Sequence, residues 1–143
     1  MNTSLASHKP SDAVKTTGTP GRFARAGFVA GFCAAVANLA VVAIAHGLDV
    51  TFEVPRGKAI PVIAFPQMTL FATVIGVGLA AVLVRRARRP RSVFLAVTVG
   101  LSALSLVPPI LVHTDTATRL VLELTHLVAA FIVIPAIASR LAD

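Results

Sequence analysis

Apolar and polar segments alternate along the chain in a pattern that predicts four membrane-spanning helices. The apolar runs cover residues 26–46, 66–85, 92–112 and 118–139. Each run is about 20 residues long, which is the length a helix needs to cross a hydrocarbon core about 30 Å thick. The pattern therefore predicts an all-α fold, an integral membrane four-helix bundle.

The composition disfavours a soluble domain. Hydrophobic residues make up 56% of the chain and charged residues 13%, whereas soluble domains carry about 25% charged residues. A soluble fold of this size would lack the polar side chains to cover its surface, while lipid can solvate the outside of a membrane protein. We therefore expect the lipid bilayer to surround the helices.

The chain divides into a polar tail and an apolar domain. Residues 1–22 are rich in Ser, Thr, Pro and Gly without apolar periodicity, which predicts a disordered cytoplasmic tail. Residues 23–143 form the predicted four-helix domain. A cleaved signal peptide is the alternative for the first run, because Ala43-Ile44-Ala45 imitates a cleavage site. The run is longer than the usual apolar region of a signal peptide, and this favours an uncleaved helix.

The connection between the first two spans carries a strand-like pattern. Residues 50–54 alternate at period two, residues 59–63 are again extended, and Pro55 and Gly57 between them suit a tight turn. We expect a short extracellular β-hairpin-like loop here, although Pro61 restricts its strand to edge pairing. Before the last span, Asp115 or Thr116 is predicted to cap the helix.

Basic residues cluster between the second and third spans. Five of the thirteen Lys and Arg residues lie within residues 85–91, named here the arginine turn: Arg85, Arg86, Arg88, Arg89 and Arg91. With four spans, ten basic residues lie on this side and three on the other. The positive-inside rule then predicts a plasma-membrane protein whose N- and C-termini are both cytoplasmic.

The arginine turn has two interpretations beyond topology. A nucleic-acid site would need a folded basic surface or interleaved aromatic residues, and the sequence has neither. Anionic lipid headgroups at the cytoplasmic face are compatible partners, since basic residues near that surface attract them. We expect lipid partners and no nucleic acid.

Several short motifs occur together over roughly residues 24–141. They are Ala37-Asn38-Leu39, Phe52-Glu53-Val54-Pro55, Arg89-Pro90-Arg91-Ser92-Val93-Phe94, Leu104-Ser105-Leu106-Val107-Pro108-Pro109, Leu124-Thr125-His126-Leu127-Val128-Ala129-Ala130 and Ile134-Pro135-Ala136. In combination they resemble a family of small actinobacterial four-helix integral membrane proteins of unknown function. The resemblance implies a four-helix membrane protein and no established activity.

A few polar residues interrupt the apolar spans, where each is costly and usually faces a partner. Glu123 and His126 lie on one helix face, because they are three residues apart. If successive spans run antiparallel, the number of residues from the centre of a span gives the depth of each polar side chain in the membrane. This count predicts a cluster in the outer half of the bundle, formed by Asn38, Ser105, Glu123 and His126. Ser102 and Thr125 are further intramembrane candidates.

Three hypotheses for this cluster remain open. Hydrogen bonds between helices, with Asn38 bonding His126 or a backbone carbonyl, would hold the bundle together. Alternatively, Glu123 and His126 form a titrating pair that binds a proton or cation. A metal site is the third, but bundle metal sites use two Glu-x-x-His motifs and this chain has one. His46, His113 and His126 are favoured as separate residues over a three-histidine zinc set, and we expect no metal.

Small residues recur at four-residue spacing in the first two spans, in Gly27-x-x-x-Gly31 and in Ala72-x-x-x-Gly76-x-x-x-Ala80. They permit close helix approach. Packing inside the bundle is favoured over the alternative, a face between copies in a homo-oligomer.

The motifs of common enzymes are missing from the sequence. It has no Gly-x-Ser-x-Gly elbow, no paired cysteines and no phosphate-binding glycine loop. We expect a non-enzymatic structural or accessory membrane protein without a cofactor, partnered by a larger membrane complex. The alternative is a small proton- or cation-coupled transporter-like oligomer that uses Glu123 and His126.

Overall fold

The structure, a computed structural model, describes residues 20–54, 58–107 and 115–143. Its elements in chain order are α1 (Pro20–Gly47), β1 (Glu53–Val54), β2 (Lys58–Ala59), α2 (Ala64–Arg86), α3 (Pro90–Ser105) and α4 (Thr116–Ala138). The expectation of an all-α, four-helix fold is confirmed. Three predicted segments lie partly or wholly outside the described residues: most of the N-terminal tail, the turn at residues 55–57, and the end of the third span with His113.

Helices α1, α2 and α4 are long and apolar enough to cross a membrane. Helix α3 is apolar but has 16 residues, about 24 Å at 1.5 Å per residue. It ends at Ser105 and the chain turns at Leu106, which is close to the end or kink that Pro108 and Pro109 predict near Leu106. A helix cannot continue undisturbed into the two prolines that follow, because proline lacks the N–H of the helical hydrogen bond.

Asp115, one of the two residues predicted to cap α4, is the residue that caps it. Its carboxylate accepts a hydrogen bond from the Thr118 backbone N–H at 2.8 Å and a second one from the Thr118 hydroxyl. These bonds hold the pKa of Asp115 below its usual value, because they stabilise the charged form. Pro135 lies near the other end of α4, and the helix continues through it to Ala138.

Helix α1 packs against both α2 and α4, while α3 packs less extensively against α2 and α4. Two apolar clusters show that successive helices run in opposite directions. At the end that carries the arginine turn, Phe23, Phe94 and Ile137 pack together. At the opposite end, Val42 and Phe52 form the second cluster with partly buried neighbours that include Phe65 and Val121.

Phe52 closes the end of the bundle opposite the arginine turn. It is 1% exposed, and its ring centroid lies 5.4 Å from that of Phe65 and 6.4 Å from that of His46. Its φ of 53° falls in the left-handed region, which bulky residues rarely adopt. The strain is offset by burial of the ring, and Ile60 N–H donates to the Phe52 carbonyl at 3.0 Å.

Strands β1 and β2 lie next to the buried Phe52. They pair antiparallel, with Glu53 opposite Ala59 and Val54 opposite Lys58. Each strand has two residues, which is shorter than the extended runs predicted at residues 50–54 and 59–63. Phe52 leaves the alternating pattern because its side chain turns into the apolar cluster, so the pairing begins only after it.

Two glycines in α1 allow the close approach of α2. A Cβ atom at Gly27 would lie 2.5 Å from Val77 Cγ2 and 3.1 Å from Ile137 Cγ1. One at Gly31 would lie 2.6 Å from Thr73 Oγ1 and 2.8 Å from Thr73 Cβ. Such separations are shorter than van der Waals contact allows. The Gly-x-x-x-Gly motif therefore serves packing inside the bundle, as the favoured interpretation expected.

Replacement of Gly31 tests this packing. We expect Gly31→Ala to lower the free energy of unfolding by about 1–3 kcal/mol, the usual cost of overpacking, and to lower the melting temperature measured in detergent. Gly78→Ala is the matched control, because a Cβ there meets nothing within 4 Å and alanine is the better helix former. Thr73→Ala should restore part of the loss, and equal melting temperatures for the two glycine variants would contradict this account.

Candidate functional site

The polar centre of the bundle is built around Asn38. This α1 side chain is 2% exposed, and its Nδ2 donates a hydrogen bond of 2.9 Å to Thr69 Oγ1 on α2. The Thr69 hydroxyl in turn donates to the Phe65 carbonyl at 2.9 Å, and the Thr73 hydroxyl donates to the Thr69 carbonyl at 2.8 Å. A chain of hydrogen bonds thus joins α1 to α2 below the apolar cluster around Phe52.

This network also determines which way the Asn38 amide points. The hydrogen of the Thr69 hydroxyl is used on a carbonyl, so its oxygen must accept from Asn38, and only Nδ2 can donate. Asn38 Oδ1 is then left buried, with no hydrogen-bond partner in the part of the chain that the structure describes. Such an atom costs roughly 1–3 kcal/mol in lost solvation.

Asn38 lies at the buried side of a cavity between α2, α3 and α4. The cavity has a volume of about 590 Å³. Apolar side chains form most of its wall, including Phe94, Ile137 and the exposed Met68 and Phe71. The polar residues of its wall come from all four helices and are Asn38, Thr69, Thr73, Thr98, Ser102, Ser105, Thr125 and His126.

Most hydroxyl groups of the cavity wall donate to carbonyls of their own helices. Thr98 donates to the Phe94 carbonyl at 2.7 Å, Ser105 to the Ser102 carbonyl at 2.7 Å, and Thr125 to the Leu122 carbonyl at 2.8 Å. A hydroxyl has one hydrogen to donate and two lone pairs. Once the hydrogen is used on the backbone, the oxygen can only accept, so the wall offers mainly acceptors.

The structure separates the four residues of the predicted polar cluster into two groups. Asn38, Ser105 and His126 line the same cavity, while Glu123 does not. Glu123 faces Arg119 on its own helix, with 4.0 Å between Oε1 and Nε. This pair is partly exposed and at the limit of ion-pair distance, so it contributes little to stability.

His126 is exposed on α4 and forms a hydrogen bond within its own helix. Its Nδ1 lies 2.7 Å from the Leu122 carbonyl oxygen. Since a carbonyl can only accept, Nδ1 carries the hydrogen, and in the neutral ring Nε2 is an acceptor. Asn38 donates to Thr69 and His126 bonds its own helix. The structure thus differs from the predicted bond between Asn38 and His126.

Thr69, Thr73 and Thr98 belong to this site and were not among the sequence candidates. Threonine in an apolar helix gives a weak signal, because its hydroxyl can bond the preceding turn of the same helix. The spacing of Thr69 and Thr73 offered one indication, since residues four apart lie on the same helix face. A buried Asn38 in the first span needs a polar partner, and the face of α2 that carries Thr69 and Thr73 offers one.

The arginine turn lies at the end of the bundle away from Asn38. All five of its arginine side chains are exposed. Asp143 meets this turn: its carboxylate accepts from Ser92 N–H at 3.0 Å and from the Ser92 hydroxyl at 2.8 Å. These bonds keep the pKa of Asp143 below its usual value, and the nearby Arg91 charge adds to the shift. Asp143 thereby caps α3 from the far end of the chain, since Arg89 at its N-cap has no side-chain cap bond.

Within residues 20–54, 58–107 and 115–143, no three His, Cys, Asp or Glu side chains come close enough together to hold a metal ion. His46 stacks on Phe52, at the bundle end opposite the arginine turn.

A comparison with protein families gives one match. The chain belongs to the family of unknown function DUF6069. The family model matches residues 18–143, which confirms the predicted membership of a family of unknown function. No curated protein and no solved structure matches the chain. The match assigns no activity.

The bond between Asn38 and Thr69 can be measured by a double-mutant cycle. In unfolding experiments in detergent, combining Asn38→Ala with Thr69→Val should reveal a coupling energy of about 0.6 kcal/mol or more, up to about 1.7 kcal/mol, which are the average and the maximum found for hydrogen bonds between membrane helices. Thr98→Val is the matched control, because Thr98 has the same bond to its own helix and none to Asn38. Asn38→Ala and Thr98→Val should be additive within about 0.5 kcal/mol. Equal coupling in both pairs would show that the bond does not exist as described.

Proposed function

We propose that this is a multi-pass plasma-membrane protein that acts as a non-enzymatic accessory component of the membrane. The observation that carries the proposal is the outer surface of the bundle. Large apolar side chains are exposed along its length, among them Phe32 at 65% and Phe131 at 77%. Contiguous apolar surface on this scale is unfavourable in water, and a bilayer would cover it.

Charge supports an orientation with both termini in the cytoplasm. The basic residues at one end of the bundle are Arg22, Arg25, Arg85, Arg86, Arg88, Arg89, Arg91 and Arg140. By the positive-inside rule this end is cytoplasmic, and β1 and β2 are then extracellular. The exposed guanidinium groups of the arginine turn would also attract anionic lipid headgroups.

The accessory role is favoured over proton- or cation-coupled transport by the position of Glu123. A coupling carboxylate works when the transported ion or substrate can reach it inside the bundle. Glu123 faces Arg119 at the start of α4 and does not line the cavity. His126 lines the cavity, but its Nδ1 is bonded to its own helix.

Cysteine labelling tests the orientation. In a Cys33→Ala background, we expect Leu48→Cys to react with a membrane-impermeant maleimide on intact cells, because Leu48 is exposed at the extracellular end. Arg88→Cys, exposed in the arginine turn, should react only after the cells are permeabilised. The opposite pattern, or equal labelling of both variants on intact cells, would refute the proposed topology.

Proton flux distinguishes the accessory role from transport. Proteoliposomes with the wild-type protein and a trapped pH-sensitive dye should lose an imposed pH gradient no faster than empty liposomes. Glu123→Gln and His126→Ala should then leave both the flux and the melting temperature nearly unchanged, since among the described residues both side chains find partners only in their own helix. A wild-type proton flux that Glu123→Gln abolishes would favour the transporter alternative.

A further inference from the structure

The cavity between α2, α3 and α4 has a polar end and an apolar end. Asn38 and Ser105 belong to the end near β1 and β2, whereas Phe94 and Ile137 belong to the end near the arginine turn. Its volume of about 590 Å³ lies within the roughly 300–1,000 Å³ of small-molecule sites. A molecule with a polar head and an apolar chain would match both ends.

The hydrogen-bonding groups of the wall define the head of such a molecule. Asn38 Oδ1 is buried and lacks a donor among the described residues. The hydroxyl hydrogens of Thr73, Thr98 and Thr125 are used on backbone carbonyls, so their oxygens have only lone pairs left. A complementary head must therefore supply O–H or N–H donors.

Charge restricts the donor further. None of the described residues that line the cavity is a carboxylate, so an ammonium head would lack a counter-charge among them in a region of low dielectric. An anionic head would face the lone pairs of the wall. A neutral donor remains, and a hydroxyl group is the simplest such donor, since it supplies the hydrogen without a charge.

We propose that this cavity binds a neutral, hydroxyl-bearing amphiphile of the monoacylglycerol class. One hydroxyl of the head donates to Asn38 Oδ1, and the acyl chain lies along Phe94 and Ile137. Met68 and Phe71 line the cavity and are exposed, so the ligand enters sideways from the bilayer. The inference rests on the membrane location proposed above.

Binding can be measured with the full-length protein in phosphatidylcholine nanodiscs. The probe is radiolabelled monododecanoylglycerol, with empty nanodiscs to subtract partition into lipid. We expect saturable binding of one molecule per protein. Unlabelled monododecanoylglycerol should displace the probe, whereas methyl dodecanoate, which has the same acyl chain but no donor, should displace it at least about tenfold less well, as expected for one lost hydrogen bond to a buried acceptor.

Two variants of α2 test the location without touching Asn38. Ala72 lines the cavity and Val74 does not, and both are exposed on the same helix. Ala72→Phe should fill the cavity and abolish binding, while Val74→Phe should bind like the wild type. Asn38→Leu should weaken binding about tenfold or more, and its melting temperature shows whether the variant is folded. Retained binding in Ala72→Phe would overturn the proposed location.

The remaining outcomes separate this inference from the proposed function. Absence of saturable binding, or equal displacement by methyl dodecanoate, would overturn the inference even if cysteine labelling supports the membrane topology. A wild-type dimer that Ala72→Phe converts to a monomer would assign the cavity to a second copy of the chain and would likewise overturn it. Reversed cysteine labelling would refute the orientation and leave the binding result to be judged on its own.

Discussion

The close approach of α1 to α2 at Gly27 and Gly31 is the contact on which the rest of the bundle depends. In a bilayer, helices gain little from hiding apolar surface from each other, so packing and hydrogen bonds between helices must hold them together. The two glycines bring the α1 backbone against Thr73 and Val77. Helices α1 and α2 also meet further along, at Asn38, which forms its hydrogen bond to Thr69 there.

The placement of α3 follows from what α1 leaves open. Because α1 packs along both α2 and α4, helix α3 contacts these two helices less extensively. A cavity remains between α2, α3 and α4, with Asn38 at its buried side. The bundle is therefore tightly packed around α1 and open beside α3, and Asn38 Oδ1, a buried side-chain acceptor that lacks a partner among the described residues, belongs to the open side.

Much of the architecture could be predicted because it depends on local properties of the chain. The lengths of the apolar runs predicted the long helices, and Asp115 before Thr116 predicted the cap of α4. The burial of Phe52 could not be predicted. The alternation of residues 50–54 predicts extended backbone, whereas Phe52 has a left-handed backbone conformation and turns its ring into the bundle. The end of α3 near Leu106 was predictable for a local reason, because Pro108 and Pro109 follow it in the sequence.

Hydrogen-bond partners were the other feature that required the folded structure. The sequence by itself determined the apolar spans, the basic segment between the second and third spans and the identity of the intramembrane polar residues, because hydropathy, charge and residue type are properties of single segments. Only the tertiary structure decided that Asn38 meets Thr69, that Ser105 and His126 share its cavity and that Glu123 does not. Those relations depend on the rotation and depth of each helix against its neighbours, which no single segment specifies.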